Sequence, residues 1–235
     1  MKRWIVGLVV VLGGVGQTNA AIYTVVDLTP SGFEQSIATN ISGTQQVGYG
    51  TGPPGLTRQA LLWSGTAASA VSLNSSGFDR SIANGISGTQ QVGFGNISSL
   101  SPTRALLWSG TAASAVDLNP SGYNTSDATD TNGTQQVGSV FAGHYHAFLW
   151  SGTAASAVDL NQFLPSEFIS SEAYGIDAQG NVVGVAYTNQ GYAHAVLWSA
   201  VPHPNVVPEP SPLIIWSLLG TLAIGVGWWR KRKRA

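Results

Sequence analysis

The string L-W-S-G-T-A-A-S-A-V occupies residues 62–71, 107–116 and 149–158, and a shortened copy, Leu197-Trp198-Ser199, follows later in the chain. A second string, I-S-G-T-Q-Q-V-G, occurs at 41–48 and 86–93, with N-G-T-Q-Q-V-G at 132–138 and a looser counterpart at 179–184. The two strings alternate along the chain. Residues 21–200 are therefore predicted to consist of four copies of one structural unit.

The spacing of equivalent residues gives the length of the unit. Four alanines, Ala38, Ala83, Ala128 and Ala173, are each 45 positions apart. Four tryptophans are separated by 45, 42 and 48 positions: Trp63, Trp108, Trp150 and Trp198. In the first unit, strand-forming segments at 36–41, 45–50, 60–64 and 70–74 are separated by turns or loops. A repeat of this length with four short strands is typical of a propeller blade.

The repeat begins and ends with incomplete units whose strands together would make one complete unit. Residues 22–28 resemble the fourth strand of a unit, whereas the last unit ends with its third strand at 195–199. In a closed ring the first segment completes the last unit and no open sheet edge remains. The sequence predicts an all-β repeat protein, a four-bladed β-propeller of 45-residue blades closed by its N-terminal strand. An open β-solenoid or a dimerised β-stack is the alternative.

Charge and cysteine content exclude several classes of site. Between residues 21 and 207 there are three arginines, no lysine and ten acidic residues, a formal charge of −7. Nucleic-acid binding needs clustered positive charge, so a nucleic-acid partner is excluded. The absence of cysteine removes disulfide frameworks, thiolate metal sites and cysteine nucleophiles.

Both ends of the chain have the composition of targeting segments. Residues 1–20 have the form of a signal peptide, with a basic start, an apolar run and a cleavage site at Ala20, although an uncut anchor is the alternative. At the other end, a proline-rich linker at 201–212 precedes a predicted transmembrane helix at 213–229 and a basic cytoplasmic tail at 230–235. Both ends place the repeats outside the cytoplasm.

The order Pro208-Glu209-Pro210, membrane span and arginine-rich terminus resembles the PEP-CTERM sorting signal of bacterial exported proteins. The resemblance implies two processing partners, signal peptidase and an exosortase-type protease, with membrane anchoring before the cut and a cell-surface or extracellular location afterwards. It also implies an association with exopolysaccharide and biofilm. A plain single-span anchor is the alternative.

The repeats resemble the HAF family of extracellular repeats, whose units carry His-Ala-Phe before a Leu-Trp pair. His146-Ala147-Phe148-Leu149-Trp150 is a literal match, and the other three units match more loosely. The resemblance implies export and a β-repeat fold, and it carries no activity.

The chemically versatile residues of the repeats have ordinary structural interpretations. A tryptophan that recurs in every unit is first a packing residue, because each unit must bury the same face. Asp27, Asp117 and Asp159 share one repeat position and are interpreted as solvated or turn-bonding. His144 and His146 alone do not complete a metal site. We therefore predict no metal, no cofactor and no enzymatic activity.

The links between the second and third strands differ among the units, whereas the other hairpin turns are constant. Variable loops on a rigid scaffold are where binding sites usually lie. The predicted ligand-binding face consists of Arg58, Arg104, Tyr145, His146, Tyr192 and His194. The predicted function is a non-catalytic surface or matrix protein that binds exopolysaccharide or another envelope component. A glycan-active hydrolase or lyase is the alternative.

The first prediction concerns processing. We expect the mature protein to lack both the segment 1–20 and the residues that follow the Pro208-Glu209-Pro210 motif, because both ends carry cleavage signals. Intact-mass spectrometry of protein recovered from the native cell surface measures this. A main mature species that still contains residues 216–235 would exclude exosortase-type processing.

Overall fold

The structure is a computed structural model that describes residues 24–53, 57–98 and 100–200. These residues form fifteen strands in four antiparallel sheets. The predicted signal peptide, linker, transmembrane helix and tail at 1–20, 201–212, 213–229 and 230–235 lie outside the described residues. Within the described ranges, no helix is long and apolar enough to cross a membrane.

Each sheet is a meander in which consecutive strands are neighbours. Sheet 1 contains β1 (Gln35–Ser42), β2 (Gln45–Thr51), β3 (Arg58–Trp63) and β4 (Val71–Ser72), and sheet 2 contains β5 (Arg80–Ser87), β6 (Gln90–Asn96), β7 (Thr103–Trp108) and β8 (Val116–Asp117). Sheet 3 contains β9 (Ser126–Thr131), β10 (Gln136–Phe141), β11 (Tyr145–Trp150) and β12 (Val158–Asp159). Sheet 4 contains β13 (Phe168–Ile176), β14 (Val182–Thr188) and β15 (Ala193–Trp198). The predicted all-β fold with one sheet per unit is confirmed.

The constant strings form the turns of sheets 1 to 3. Gly43 and Gly88 turn the first hairpins with φ of 57° and 55°, a region that favours glycine. The second glutamine of each Q-Q pair supports the other turn, because its Oε1 accepts a hydrogen bond from a turn glycine N–H: Gln46 from Gly65 at 3.0 Å, Gln91 from Gly110 at 2.7 Å and Gln136 from Gly152 at 2.8 Å. In the last unit Val182 replaces this glutamine and the G-T-A-A-S string is missing too.

Successive sheets pack face to face. We call the side of a sheet that contacts the preceding sheet its leading face, and the side that contacts the following sheet its trailing face. The cluster between sheets 1 and 2 joins Val47, Ala60 and Leu62 of one trailing face to Ala83 and Ile86 of the next leading face. Equivalent clusters lie between sheets 2 and 3 and between sheets 3 and 4. The hydrophobic core is therefore a series of three repeated interfaces.

Three of the four repeat tryptophans belong to these interfaces: Trp108, Trp150 and Trp198. Trp63, Trp108 and Trp150 are fully buried, as the packing interpretation predicts. Trp198 is partly buried, and its indole N–H donates to the carbonyl oxygen of Leu160 at 3.1 Å.

A serine at the start of each later sheet ties that sheet to the one before it. Its Oγ accepts a hydrogen bond from an alanine N–H of the preceding third strand and donates to an asparagine Oδ1 in the connection between the sheets. The N–H to Oγ distances are 3.0 Å for Ala60 to Ser81, 2.9 Å for Ala105 to Ser126 and 3.0 Å for Ala147 to Ser171. The asparagines are Asn74, Asn119 and Asn161. We call this arrangement the serine clip.

The first strands of neighbouring sheets lie side by side and are bonded directly. Thr39 Oγ1 donates to the carbonyl oxygen of Ala83 at 2.7 Å, and Thr129 Oγ1 donates to that of Ala173 at 2.7 Å. Between them, Asn84 Nδ2 donates to the carbonyl oxygen of Ala128 at 2.9 Å. These bonds and the serine clips hold the four sheets in one register around the first strands.

The predicted closure of the ring by residues 22–28 is wrong for the residues that the structure describes. Residues 24–30 form no strand, and Val25 and Val26 are exposed. Where a fourth strand exists, it pairs through only two residues, as at Val71 and Ser72, and a short turn connects it to the third strand. Residues 24–28 have no such short connection to the third strand of sheet 4. Their pairing would close a much longer loop, at a larger entropic cost, for the same two-residue contact. Among the described residues, no hydrogen bond joins sheet 1 to sheet 4.

The glycine of each Q-Q-V-G string makes the closest backbone contact in its sheet. A β-carbon at Gly93 would overlap the carbonyl oxygen of Ile82, and one at Gly48 would overlap that of Ile37. The second prediction follows. We expect Gly93→Ala to lower the free energy of unfolding by about 3 kcal/mol or more, because the strands must separate locally.

Gly88→Ala is the matched control for this change. A β-carbon there meets no atom within 4 Å and the φ is 55°, so only backbone strain opposes the substitution. We expect Gly88→Ala to lower the free energy of unfolding by about 1 kcal/mol, as measured by urea unfolding. Equal losses for the two variants would show that the strand contact at Gly93 is not tight.

Candidate functional site

Two of the sequence-predicted site residues are each paired with an aspartate of their own sheet. Arg104 Nε lies 2.6 Å from Asp117 Oδ2, and His146 Nδ1 lies 2.8 Å from Asp159 Oδ2. Both pairs join a third strand to a fourth strand at the same repeat position. In the first unit Ser72 Oγ donates to Gln59 Oε1 at 3.3 Å at that position. These contacts give Arg104 and His146 a repeated structural role.

The aspartates of these pairs also shape the chain, in agreement with the turn-bonding interpretation. Asp117 Oδ1 accepts a hydrogen bond from the Asn119 N–H at 2.8 Å, and Asp159 Oδ1 accepts one from the Asn161 N–H at 2.8 Å. Asp27 Oδ1 accepts one from the Thr29 N–H at 2.9 Å, and this bond lowers the pKa of Asp27.

The other four predicted residues are spread over three sheets. The Arg58 guanidinium lies over the Tyr49 ring, 5.1 Å from its centre, in sheet 1. The His194 ring meets the edge of Phe168 at 5.3 Å in sheet 4, where Tyr192 is exposed. Tyr145 of sheet 3 packs edge-on against Phe141 at 5.3 Å and lines a cleft. The structure thus brings Tyr145 alone of the six into the cleft described next.

A cleft of about 520 Å³ opens between sheets 2, 3 and 4, at the end where the variable links lie. The first strands of these sheets supply its polar residues: Asn84, Ser126, Asp127, Thr129 and Glu172. Phe94 and Tyr145 supply its aromatic residues, and Thr103, Thr125 and Ser139 add hydroxyls. The cleft therefore combines two carboxyl groups, an amide, several hydroxyls and two rings.

The carboxyl group of Asp127, which lines this cleft, has a raised pKa. Burial raises its pKa from 3.8 to about 7, and the negative charge of Glu172 adds to the rise. Asn84 Nδ2 donates to Asp127 Oδ1 at 3.1 Å, which opposes the rise in part. At neutral pH Asp127 therefore exchanges between its protonated and ionised forms, donating a hydrogen bond in the first and accepting in both.

Glu172 continues the polar surface on the next first strand. Tyr174 OH donates to Glu172 Oε2 at 3.3 Å. Burial raises the pKa of Tyr174 to about 12, and the neighbouring Glu172 charge contributes, so this hydroxyl remains a donor at neutral pH.

Asp127 and Glu172 are the residues that sequence reasoning missed. They occupy one repeat position, whose four occupants are Ile37, Ile82, Asp127 and Glu172. The change from apolar to acidic halfway along an otherwise uniform repeat is the signal that identifies them. Among the described residues, no group of three histidine, aspartate or glutamate side chains is placed to hold a metal ion.

Comparison with known proteins identifies the fold and not the activity. No protein-family model and no curated protein matches the chain. The structure is similar to that of a protein of Agrobacterium tumefaciens assigned as TolB, with a TM-score of 0.51 and 13% identity, covering 67% of this chain and 58% of that one. The chain thus spans little more than half of that structure. This likeness supports the all-β, propeller-type arrangement of the sheets.

The third prediction concerns pH and Asp127. The folded protein binds this proton more tightly than the unfolded chain, so the free energy of unfolding falls as pH rises from about 4 to about 7. We expect Asp127→Asn to flatten that fall and to raise the free energy of unfolding near pH 8, by about 1–3 kcal/mol. Urea unfolding across this range measures both effects.

Asp177→Asn serves as a control, because the pKa of Asp177 is lowered whereas that of Asp127 is raised. Hydrogen bonds from the Asn181 side chain and from backbone N–H groups lower the pKa of Asp177. Its contribution to stability is present above the unfolded pKa and is lost as pH falls, so Asp177→Asn should destabilise the protein at neutral pH and not in acid. A decline between about pH 4 and 7 that survives in Asp127→Asn would show that another group causes it.

Proposed function

We propose that the protein is an exported, non-catalytic surface or extracellular-matrix protein whose repeats bind polysaccharide in the cleft between sheets 2, 3 and 4. Signal peptidase removes residues 1–20, and residues 213–229 hold the chain in the membrane until an exosortase-type protease cuts near Pro208-Glu209-Pro210. The basic tail at 230–235 stays in the cytoplasm. Support for this route comes from the segments at the two ends of the sequence.

The composition of the cleft supports a sugar ligand. Sugar hydroxyls donate to carboxylates and exchange hydrogen bonds with amides and hydroxyls, which Asp127, Glu172 and Asn84 supply. The apolar face of a sugar ring packs on aromatic side chains, here Phe94 and Tyr145.

The charge of the domain narrows the class of glycan. The segment 21–207 has a formal charge of −7, and the residues that line the cleft include two carboxyl groups and no basic side chain. An anionic polysaccharide would be repelled on approach and would bring like charges together on binding. We therefore propose a neutral or amino-sugar polymer as the ligand.

The fourth prediction tests this site. We expect Tyr145→Ala, and separately Asp127→Asn combined with Glu172→Gln, to weaken binding of such a polymer at least about tenfold, because each removes central contacts. Isothermal calorimetry on full-length protein in detergent, with neutral, amino-sugar and uronic-acid polymers, measures affinity and class together. Tyr192→Ala is the control, since Tyr192 is an exposed aromatic outside the cleft.

Undiminished binding in the cleft variants would place the ligand elsewhere, and preference for the uronic-acid polymer would contradict the charge argument. Each variant must remain folded at the assay temperature, as its thermal unfolding curve shows, for the comparison to hold.

One observation favours the alternative of a glycan-active hydrolase or lyase. Asp127, with its raised pKa, shares the cleft with a second carboxyl group, and acid–base catalysis of glycan cleavage uses two such groups. Release of new reducing or unsaturated ends from a polymer, abolished by Asp127→Asn, would establish the enzyme. Binding without release supports the non-catalytic function.

A further inference from the structure

The three internal interfaces show what each face of a unit is built to contact. On every trailing face a valine, an alanine and a leucine occupy the same repeat positions, and on every leading face a serine and an alanine do so. On sheets 1 to 3 these trailing residues are buried, as Val47, Ala60 and Leu62 illustrate, except that Leu149 of sheet 3 is partly buried. Each trailing face thus has one known complement, which is the leading face of another unit.

Two of these faces have no such complement in the described residues. On the trailing face of sheet 4, Val183 is 52% and Leu197 61% exposed, against 0% and 4% for the equivalent Val47 and Leu62. On the leading face of sheet 1, Ile41 is 64% exposed, against 5% for the equivalent Ile86. Ala195 and Ala38 are exposed as well, whereas their counterparts in the internal interfaces are buried.

At sheet 1, only one of the two contacts of the serine clip is present in the described residues. Ser36 Oγ contacts Thr29 Oγ1 at 3.0 Å, as Ser81 contacts Asn74 one unit later. Within the described residues, no backbone N–H donates to Ser36 Oγ. By repeat position the matching donor is the N–H of Ala195, the alanine of the last third strand.

The leading face of sheet 1 is open only in its inner half. Leu61 and Trp63, nearer the outer strand, are buried in sheet 1 as their counterparts are elsewhere. The uncovered part consists of Ser36, Ala38 and Ile41, and these positions pair with the valine, alanine and leucine positions in the internal interfaces.

We propose that the trailing face of sheet 4 docks on the leading face of sheet 1 of a second copy of this chain, and repeats the internal interface between molecules. Within the described residues the two faces of one chain do not cover each other, since Val183 and Leu197 on one face and Ile41 on the other are exposed. Ala195 N–H of one copy completes the serine clip at Ser36 of the next, and Leu197 packs on Ile41. A contact between two different faces propagates into a filament or closes into a ring.

The size of the contact sets its expected strength. Three strands about 4.8 Å apart and about six residues long cover roughly 300 Å² of flat sheet on each partner. This is small for a stable protein–protein interface, so a single contact should form only at micromolar concentration or above. A membrane surface or a closed ring, in which two contacts act together, favours association further.

The fifth prediction uses the absence of cysteine from the chain. Full-length Ser36→Cys and Ala195→Cys proteins, each with a single thiol, are mixed in detergent and treated with a short bis-maleimide. We expect a product of twice the chain mass in the mixture and little in either variant alone. Val116→Cys replaces Ser36→Cys in the control mixture, because Val116 lies on an outer strand and on neither open face.

A second pair of variants measures the contact without a cross-link. Ile41→Glu and Leu197→Glu should each shift self-association in analytical ultracentrifugation at least tenfold towards monomer, because each introduces a charge on one face. Their mixture should form dimers and nothing larger, since one variant retains the leading face and the other the trailing face. Val116→Glu should associate like the wild type, which separates this contact from association through residues 213–229.

Two outcomes would overturn the proposal. One is the absence of a cross-linked product in the Ser36→Cys and Ala195→Cys mixture at concentrations where the wild type sediments faster than a monomer. The other is an intramolecular link in the Ser36→Cys/Ala195→Cys double variant, seen as both thiols consumed without a change in chain number. That result would show that sheet 1 of the same chain covers sheet 4.

Discussion

The packing of one apolar sheet face on the next is the contact on which the rest of this structure depends. A strand here alternates between residues directed at the preceding sheet, such as Leu106 and Trp108, and residues directed at the following one, such as Ala105 and Leu107. A sheet that is apolar on both faces needs a neighbour on each side. The serine clips and the bonds between first strands then fix how far one sheet is displaced along the next.

The sequence predicted the parts of the fold that follow from this repetition. Periodic strings gave the number of units and most strand positions, and the recurrence of tryptophan indicated burial, because a repeated interface must be filled in the same way each time. The assignment of residues 22–28 as a closing strand was wrong for 24–28. The resemblance of this segment to A-V-S-L-N shows only that its local sequence suits a fourth strand. Whether it pairs with the last sheet depends on the entropy of closing a loop as long as the whole repeat domain, and the local sequence carries no information about that cost.

The candidate site was predictable in location and not in composition. The variable links predicted a site at one end of the sheets, and Tyr145 lies in a cleft at that end. Arg104 and His146 were chosen for their chemistry, yet each is paired with an aspartate thirteen positions later in its own sheet. Such a pair is visible in the sequence only once the strand register is known. Asp127 and Glu172 were missed because they lie on first strands, which the pattern marks as scaffold.

A comparison of the four units supports the proposal that these two acids contact a ligand. Ile37 and Ile82 occupy their position in the first two units, so the fold accepts an apolar side chain there. Asp127 is less favourable for folding when it is ionised, since burial raises its pKa to about 7. Its position faces the cleft and belongs to none of the sheet-to-sheet clusters. A buried acid outside the apolar clusters, beside a second acid and two aromatic rings, supports the proposed ligand site more than a purely structural role.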